Sequence, residues 1–159
     1  MTASRSAATL AVALLLACSV PAPPLPAPGE RSLAGHPALG CWELTPIHGR
    51  SPYLPGPVRL RLDSIPVRPE ADPTLLRIQF DTTAGARVPR TDHPLLAHWS
   101  PYRTGDHIYV FWGDGFTGLD MRLRVRADRL DGPSVNTTDF GIDSNGPEIR
   151  GRRIACDGL

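Results

Sequence analysis

From Leu119 to Arg126 the chain reads L-D-M-R-L-R-V-R, apolar at every odd position and charged at every even one. Successive side chains of an extended strand point to opposite faces. This register therefore puts Leu119, Met121, Leu123 and Val125 on one side and Asp120, Arg122, Arg124 and Arg126 on the other. A helix would scatter both classes around its circumference. The same parity recurs in Val58-Arg59-Leu60-Arg61-Leu62-Asp63 and in Leu76-Arg77-Ile78-Gln79-Phe80-Asp81. Each is a strand with one wet face and one face that must be buried.

No window after Gly40 repeats apolar residues at spacings of three and four, and proline or glycine interrupts nearly every stretch that a helix would need. Further strands are predicted at Cys41 to Thr45, Leu95 to Tyr102, His107 to Trp112, Arg129 to Thr138 and Glu148 to Cys156. Turn-forming groups such as Gly113-Asp114-Gly115, Asp131-Gly132-Pro133 and Asp143-Ser144-Asn145-Gly146 separate them. About eight short strands at hairpin spacing predict an all-β meander. An eight-stranded antiparallel up-and-down β-barrel is the most economical closure because it removes both edges; a β-sandwich is the alternative.

The cysteines divide the chain. Met1 to Ala17 has a short polar start with Arg5 and then an apolar run from Ala7, the proportions of a signal peptide and too short to span a bilayer. Leu15-Leu16-Ala17-Cys18 resembles the bacterial lipobox, which implies acylation of Cys18 as the new N-terminus. A plain secretory leader is the alternative. Ser19 resembles the residue that follows the anchor in lipoproteins sorted to an outer membrane. From Val20 to Gly29 the sequence VPAPPLPAPG is an extended polyproline-type spacer. The expected organisation is a leader at 1–17, an anchor and proline-rich linker at 18–38, and one folded domain at 39–157, roughly 120 residues and enough for a single core. An exported chain meets an oxidising compartment, and with Cys18 assigned to lipid the remaining pair, Cys41 and Cys156, is expected to bridge. That bridge requires the first and last strands to be neighbours, as they are in a meander barrel.

Charge names no partner. The net charge is +1, all 17 basic residues are arginine, and the acids are interspersed among them, so no nucleic-acid partner is expected. Nor do residues with reactive chemistry converge. His93 lies in a loop next to a proline, while His98 and His107 fall on separate strands, so no metal and no cofactor are predicted. Asp114, Asp120, Asp128 and Asp131 fall in turns or on the arginine-rich face, and no nucleophile elbow or spare thiol is present. The chain reads as noncatalytic. Its aromatics are concentrated in one third of the sequence, where Trp99, Tyr102, Tyr109, Phe111, Trp112 and Phe116 fall on two strands and their turn.

Gly40-Cys41-Trp42 on the first strand resembles the G-x-W signature of lipocalins and the wider calycin group. Arg152-Arg153 on the last strand resembles the basic residue that those folds lay across the tryptophan. The resemblance implies a barrel closed at one end by Trp42 with Arg152 or Arg153, and a cavity holding a small apolar or amphipathic ligand, with Trp99, Tyr109 and Trp112 nearest to it. The helix usual between the last lipocalin strands is not evident here, and Asp139 to Pro147 reads as a loop. The resulting expectation is an exported, lipid-anchored, lipocalin-like binding barrel of the cell envelope, on the periplasmic or surface side of an outer membrane. A freely secreted protein is the alternative location. The alternative functions are a protein-binding barrel, such as a periplasmic protease inhibitor, and a solid-core envelope scaffold.

Overall fold

A computed structural model describes residues 33, 35–81, 96–102, 105–139, 144–157 and 159. The expected leader, Cys18 and the proline-rich spacer lie outside these residues, as does His93. Ten strands are present: β1 (Gly40–His48), β2 (Val58–Arg68), β3 (Asp72–Phe80), β4 (Ala97–Pro101), β5 (His107–Gly113), β6 (Thr117–Arg126), β7 (Arg129–Gly132), β8 (Ser134–Thr138), β9 (Ser144–Asn145) and β10 (Glu148–Arg153). All pairings are antiparallel, and no α-helix occurs among the described residues. Each of β1 to β6 pairs with its successor, β6 pairs with both β7 and β8, and β10 runs between β7 and β1. The sheet is thus a closed eight-stranded barrel, not a sandwich.

Ten segments make eight strand paths because two paths are broken at the same level. Gly132-Pro133 separates β7 from β8, and Gly146-Pro147 separates β9 from β10. Proline has no amide to give a ladder, and the broken paths lie side by side, with Gly132 opposite Ile149 below the break and Val135 opposite Asn145 above it. A β-carbon on Gly132 would sit 2.0 Å from the Arg122 carbonyl oxygen, so only glycine permits the approach. Ser144–Asn145, within the predicted loop, is therefore a short strand paired to β8.

β2 also runs past its expected end. Leu62 pairs with Ile78 and Pro66 with Leu76, so the three residues between them on β2 oppose the single residue Arg77 on β3, a bulge that inserts two extra residues. Ile65, of the same parity as Arg59 and Arg61, faces outward and is 48% exposed.

Alternation decides what fills the ring. Leu60 and Leu62, Leu76 and Ile78, Ile108 and Val110, and Leu119 through Val125 at every second residue point inward and are buried. The chain before β1 joins this core: Ala38 is fully buried, and Leu33 and Leu39 pack against the cluster. At the opposite end the loop between β1 and β2 folds in, with Leu54 1% and Ser51 5% exposed.

β1 and β10 pair from Trp42 opposite Arg153 to His48 opposite Glu148. Just beyond, the Ile154 amide donates to the Cys41 carbonyl at 3.0 Å, and Cys41 and Cys156 form a disulfide with their α-carbons 5.3 Å apart. The bridge spans 115 residues, a long loop whose closure restricts the unfolded chain. Replacing both cysteines by serine is expected to cost roughly 2–5 kcal/mol in urea-unfolding free energy. An unchanged midpoint would show that strand pairing alone holds the seam.

Candidate functional site

Three places could carry function: the closed end around Trp42, the barrel interior, and the rim formed by the β5–β6 hairpin. Each is built from the strands just described.

At the closed end, Trp42 on β1 is fully buried and its Nε1–H donates to the Ala38 carbonyl at 2.8 Å. The register assigns the arginine. Arg153 lies directly opposite Trp42 and shares its inward parity, whereas Arg152 is opposite Glu43 on the outer wall. The Arg153 guanidinium carbon stands 4.2 Å from the indole centroid, a cation–π distance. Its Nη1 donates to the Leu39 carbonyl at 2.8 Å, and its Nη2 donates to the Pro37 carbonyl. Gly40 makes room for it: φ is +115°, and a β-carbon there would meet Arg153 Nη1 at 2.8 Å. Arg152 instead pairs with Glu43 at 2.8 Å and is 70% exposed.

The interior separates the three expected ligand contacts. Trp99 and Trp112 expose no surface. Trp99 Nε1–H donates to the Asp63 carbonyl at 2.8 Å, and Trp112 Nε1–H donates to the Tyr53 carbonyl at 3.0 Å. They are core, along with Trp42, Leu44, Leu60, Ile108 and Met121, none of which exposes any surface. A void large enough for water beside these side chains would leave accessible area on them. Tyr109 is on the other parity and faces outward, its hydroxyl donating to Asp120 Oδ1 at 2.5 Å. Burial, and then the Asp120 carboxylate, push its pKa well above the usual phenol value. Trp99 and Trp112 thus face the core, and Tyr109 faces the outer wall.

The rim takes up Phe111 and Phe116 of the aromatic cluster that the sequence marked, although neither was among the expected ligand contacts. Asp114 organises it: its Oδ1 accepts from the amides of Phe116 and Thr117 at 3.0 and 2.9 Å, while the Tyr53 hydroxyl reaches Oδ2 at 3.2 Å. These bonds, the backbone ones foremost, hold its carboxyl below the ordinary range. The Tyr53 contact fastens the β1–β2 loop to the hairpin. Beside them lies a half-open hollow of about 590 Å³ lined by Leu96, Phe111, Gly115, Phe116, Thr137 and Asp139 among others. Phe116 is 68% exposed.

His98 stands opposite Phe111, not His107, and its ring packs on Tyr109 and Phe111. His107 Nδ1 lies 2.8 Å from Asp106. Among the described residues, no three His, Cys, Asp or Glu side chains come together as a metal site. Folding also gathers arginines that the sequence interleaves with acids. Arg126, Arg129 and Arg152 stand opposite one another on β6, β7 and β10, with Arg124 and Arg150 in the next row around Asp131. No protein-family model matches the chain, and neither does any curated protein or solved structure compared with it.

Two measurements follow from the closed end. Arg153→Ala is expected to cost roughly 1–2 kcal/mol through lost stacking and carbonyl bonds, and Arg152→Ala under about 1 kcal/mol as an exposed pair. Equal losses in chemical denaturation would remove the distinction. The second concerns His36, whose ring lies 5.7 Å from Trp99, whose Nδ1 accepts from the Ala38 amide, and whose Nε2 is buried with no hydrogen-bond partner. Burial lowers its pKa from 6.5. The unfolded imidazole then takes its proton first on acidification, so this contribution to stability is complete above about pH 6.5 and is lost as pH falls through the lower folded value. Asp72 and Asp114, held below 3.8, titrate in a lower window. The melting temperature should fall from about pH 7.5 to about pH 5, and fall less in His36→Asn, which keeps an acceptor for Ala38 but has no proton to gain.

Proposed function

We propose that this chain is an exported, lipid-anchored, lipocalin-like barrel of the cell envelope that is noncatalytic, has a solid core, and works through its outer surface. The observation that carries this reading is the filled interior. Eight strands enclose a space that side chains can just fill or that can hold one small ligand, and here Trp42, Trp99 and Trp112 occupy it with every indole N–H bonded to a backbone carbonyl. Admitting a ligand would require moving a tryptophan and stranding its donor in an apolar core. The lipocalin-like kinship is supported by Gly40, Trp42 and Arg153 meeting at the closed end. The noncatalytic reading is supported by how the acids are used: Asp63 holds Arg61 and Arg77, Glu43 holds Arg59 and Arg152, and Asp114 holds its own turn. Anchorage and envelope location are supported by the leader and Cys18 in the sequence.

Of the functions open to such a barrel, protease inhibition through a free N-terminal trunk is disfavoured, because an acylated Cys18 and a proline spacer would tie that trunk to the lipid surface. Binding of a small amphipathic molecule remains open at a different place, since the rim hollow has the dimensions of a small-molecule site.

Native mass spectrometry of the protein taken from its own envelope tests the proposal. The expected spectrum shows acyl mass on Cys18 and the two-hydrogen deficit of one disulfide. The three indole N–H resonances are expected to stay in place when neutral N-phenyl-1-naphthylamine is added. A retained stoichiometric molecule whose removal shifts those indole resonances would overturn the solid core, and an unmodified Cys18 thiol would overturn the anchor.

A further inference from the structure

The rim hollow combines an apolar floor with charge of one sign. Phe111 forms the floor. Its ring lies over the hairpin backbone, where a β-carbon on Gly118 would come within 2.5 Å of it and one on Gly113 within 3.1 Å. Both glycines are thus required for the ring to lie flat. Leu96 and the exposed Phe116 add apolar walls, and Thr117 and Thr137 add hydroxyls. At about 590 Å³ the space falls within the range of small-molecule sites.

Its charge is selective. Asp114 and Asp139 are both among the lining residues, and among the described ones no arginine or histidine is. Asp114 already accepts from two amides and the Tyr53 hydroxyl and is tied to the turn. Asp139 is exposed and is held through its backbone, the amide donating to the Phe116 carbonyl at 2.8 Å. Its carboxylate thus adds a negative charge beside exposed aromatic surface. A fatty-acid carboxylate would bring a third negative charge to this place, whereas an ammonium group would meet two carboxylates and the faces of Phe111 and Phe116.

We infer that the hollow between the β5–β6 hairpin and β8 is a binding site for a small amphipathic organic cation, an aliphatic or aromatic body bearing an ammonium group that is directed to Asp139. The site rests on the outer-surface reading given above and replaces the interior as the place where a ligand sits.

The experiment is a ¹⁵N-correlation titration of the disulfide-bonded protein with dodecyltrimethylammonium, kept below its micelle-forming concentration, and in parallel with dodecanoate, the anion of the same chain length. Saturable shifts of the Gly115, Phe116, Thr137 and Asp139 amides are expected with the cation and not with the anion. Asp139→Asn should weaken the cation roughly three- to fivefold, the scale of one half-exposed ion pair. Equal response to both probes, or none to either, overturns the inference while leaving the solid core intact. Movement of the three indole N–H signals with the rim amides unchanged overturns the solid core instead. Concentration-dependent shifts of the rim amides without any probe would assign the hollow to a second copy of the chain and also overturn the inference.

Discussion

The ring depends on the seam between β1 and β10. Every other pair of neighbours in the barrel lies far closer in sequence, so its pairing closes a much smaller loop. The seam joins segments at the two ends of the domain, and its ladder from Trp42–Arg153 to His48–Glu148 closes a loop of more than a hundred residues. The entropy of that closure is met twice. The disulfide confines the unfolded chain, while Arg153 and the Ile154 amide knit the last strand to the start of the first. Without the seam, β1 and β10 would become open edges with free ladder groups, the usual route to intermolecular pairing.

Filling the ring creates a second constraint, because tryptophan brings a donor into an apolar space. A regular ladder offers no spare carbonyl, so the three indoles find theirs where the strands are irregular. Trp42 uses Ala38 in the segment before β1, and Trp112 uses Tyr53 in the β1–β2 loop. Trp99 uses Asp63, which stands at the β2 bulge. The bulge thereby does two jobs. It frees the Asp63 carbonyl for Trp99, and it leaves the Asp63 carboxylate between Arg61 and Arg77. The breaks from ideal geometry are what make a solid interior compatible with full hydrogen bonding.

The sequence disclosed what is local. Period-two alternation marks β2, β3 and β6, and the turn groups separate eight paths, so the strand count and meander were legible from single windows. Cysteine number, taken with the expectation of export, did the same for the clasp between Cys41 and Cys156. Register was not legible, since it depends on how many residues each bulge inserts. Parity alone therefore left Arg152 and Arg153 open, although one stacks on Trp42 and the other salt-bridges Glu43 on the outer wall. The bulge after Leu62 likewise hid the second half of β2, where Ile65 and Pro66 look like the end of a strand. Leu54, isolated among prolines, carried no periodicity at all, yet it is buried as part of the end plug. Trp99 and Trp112 pointed to a ligand because aromatics line pockets as readily as they fill cores, and only their accessible area separates the two.

The two sides of the outer wall show why a solid barrel would place recognition at its rim. Across β1, β2 and β3 the charges are mutually satisfied, Glu43 between Arg59 and Arg152, Asp63 between Arg61 and Arg77. Across β6, β7 and β10 one row sets Arg126, Arg129 and Arg152 side by side and the next places Asp131 between Arg124 and Arg150, an arrangement that keeps those strands wetted. Among the described residues these walls are dominated by charged side chains, with Ile65 on β2 an exposed apolar exception. The most exposed large apolar side chain among the described residues is at the hairpin end, where Gly113 and Gly118 let Phe111 lie flat and the turn held by Asp114 leaves Phe116 in solvent. An exposed phenylalanine beside a half-open hollow is costly to leave in water, and here it stands on a turn fixed by hydrogen bonds to both its own backbone and the neighbouring loop. A rigid turn that presents apolar surface is the preorganised arrangement that binding favours, because little freedom is left to lose when a ligand arrives.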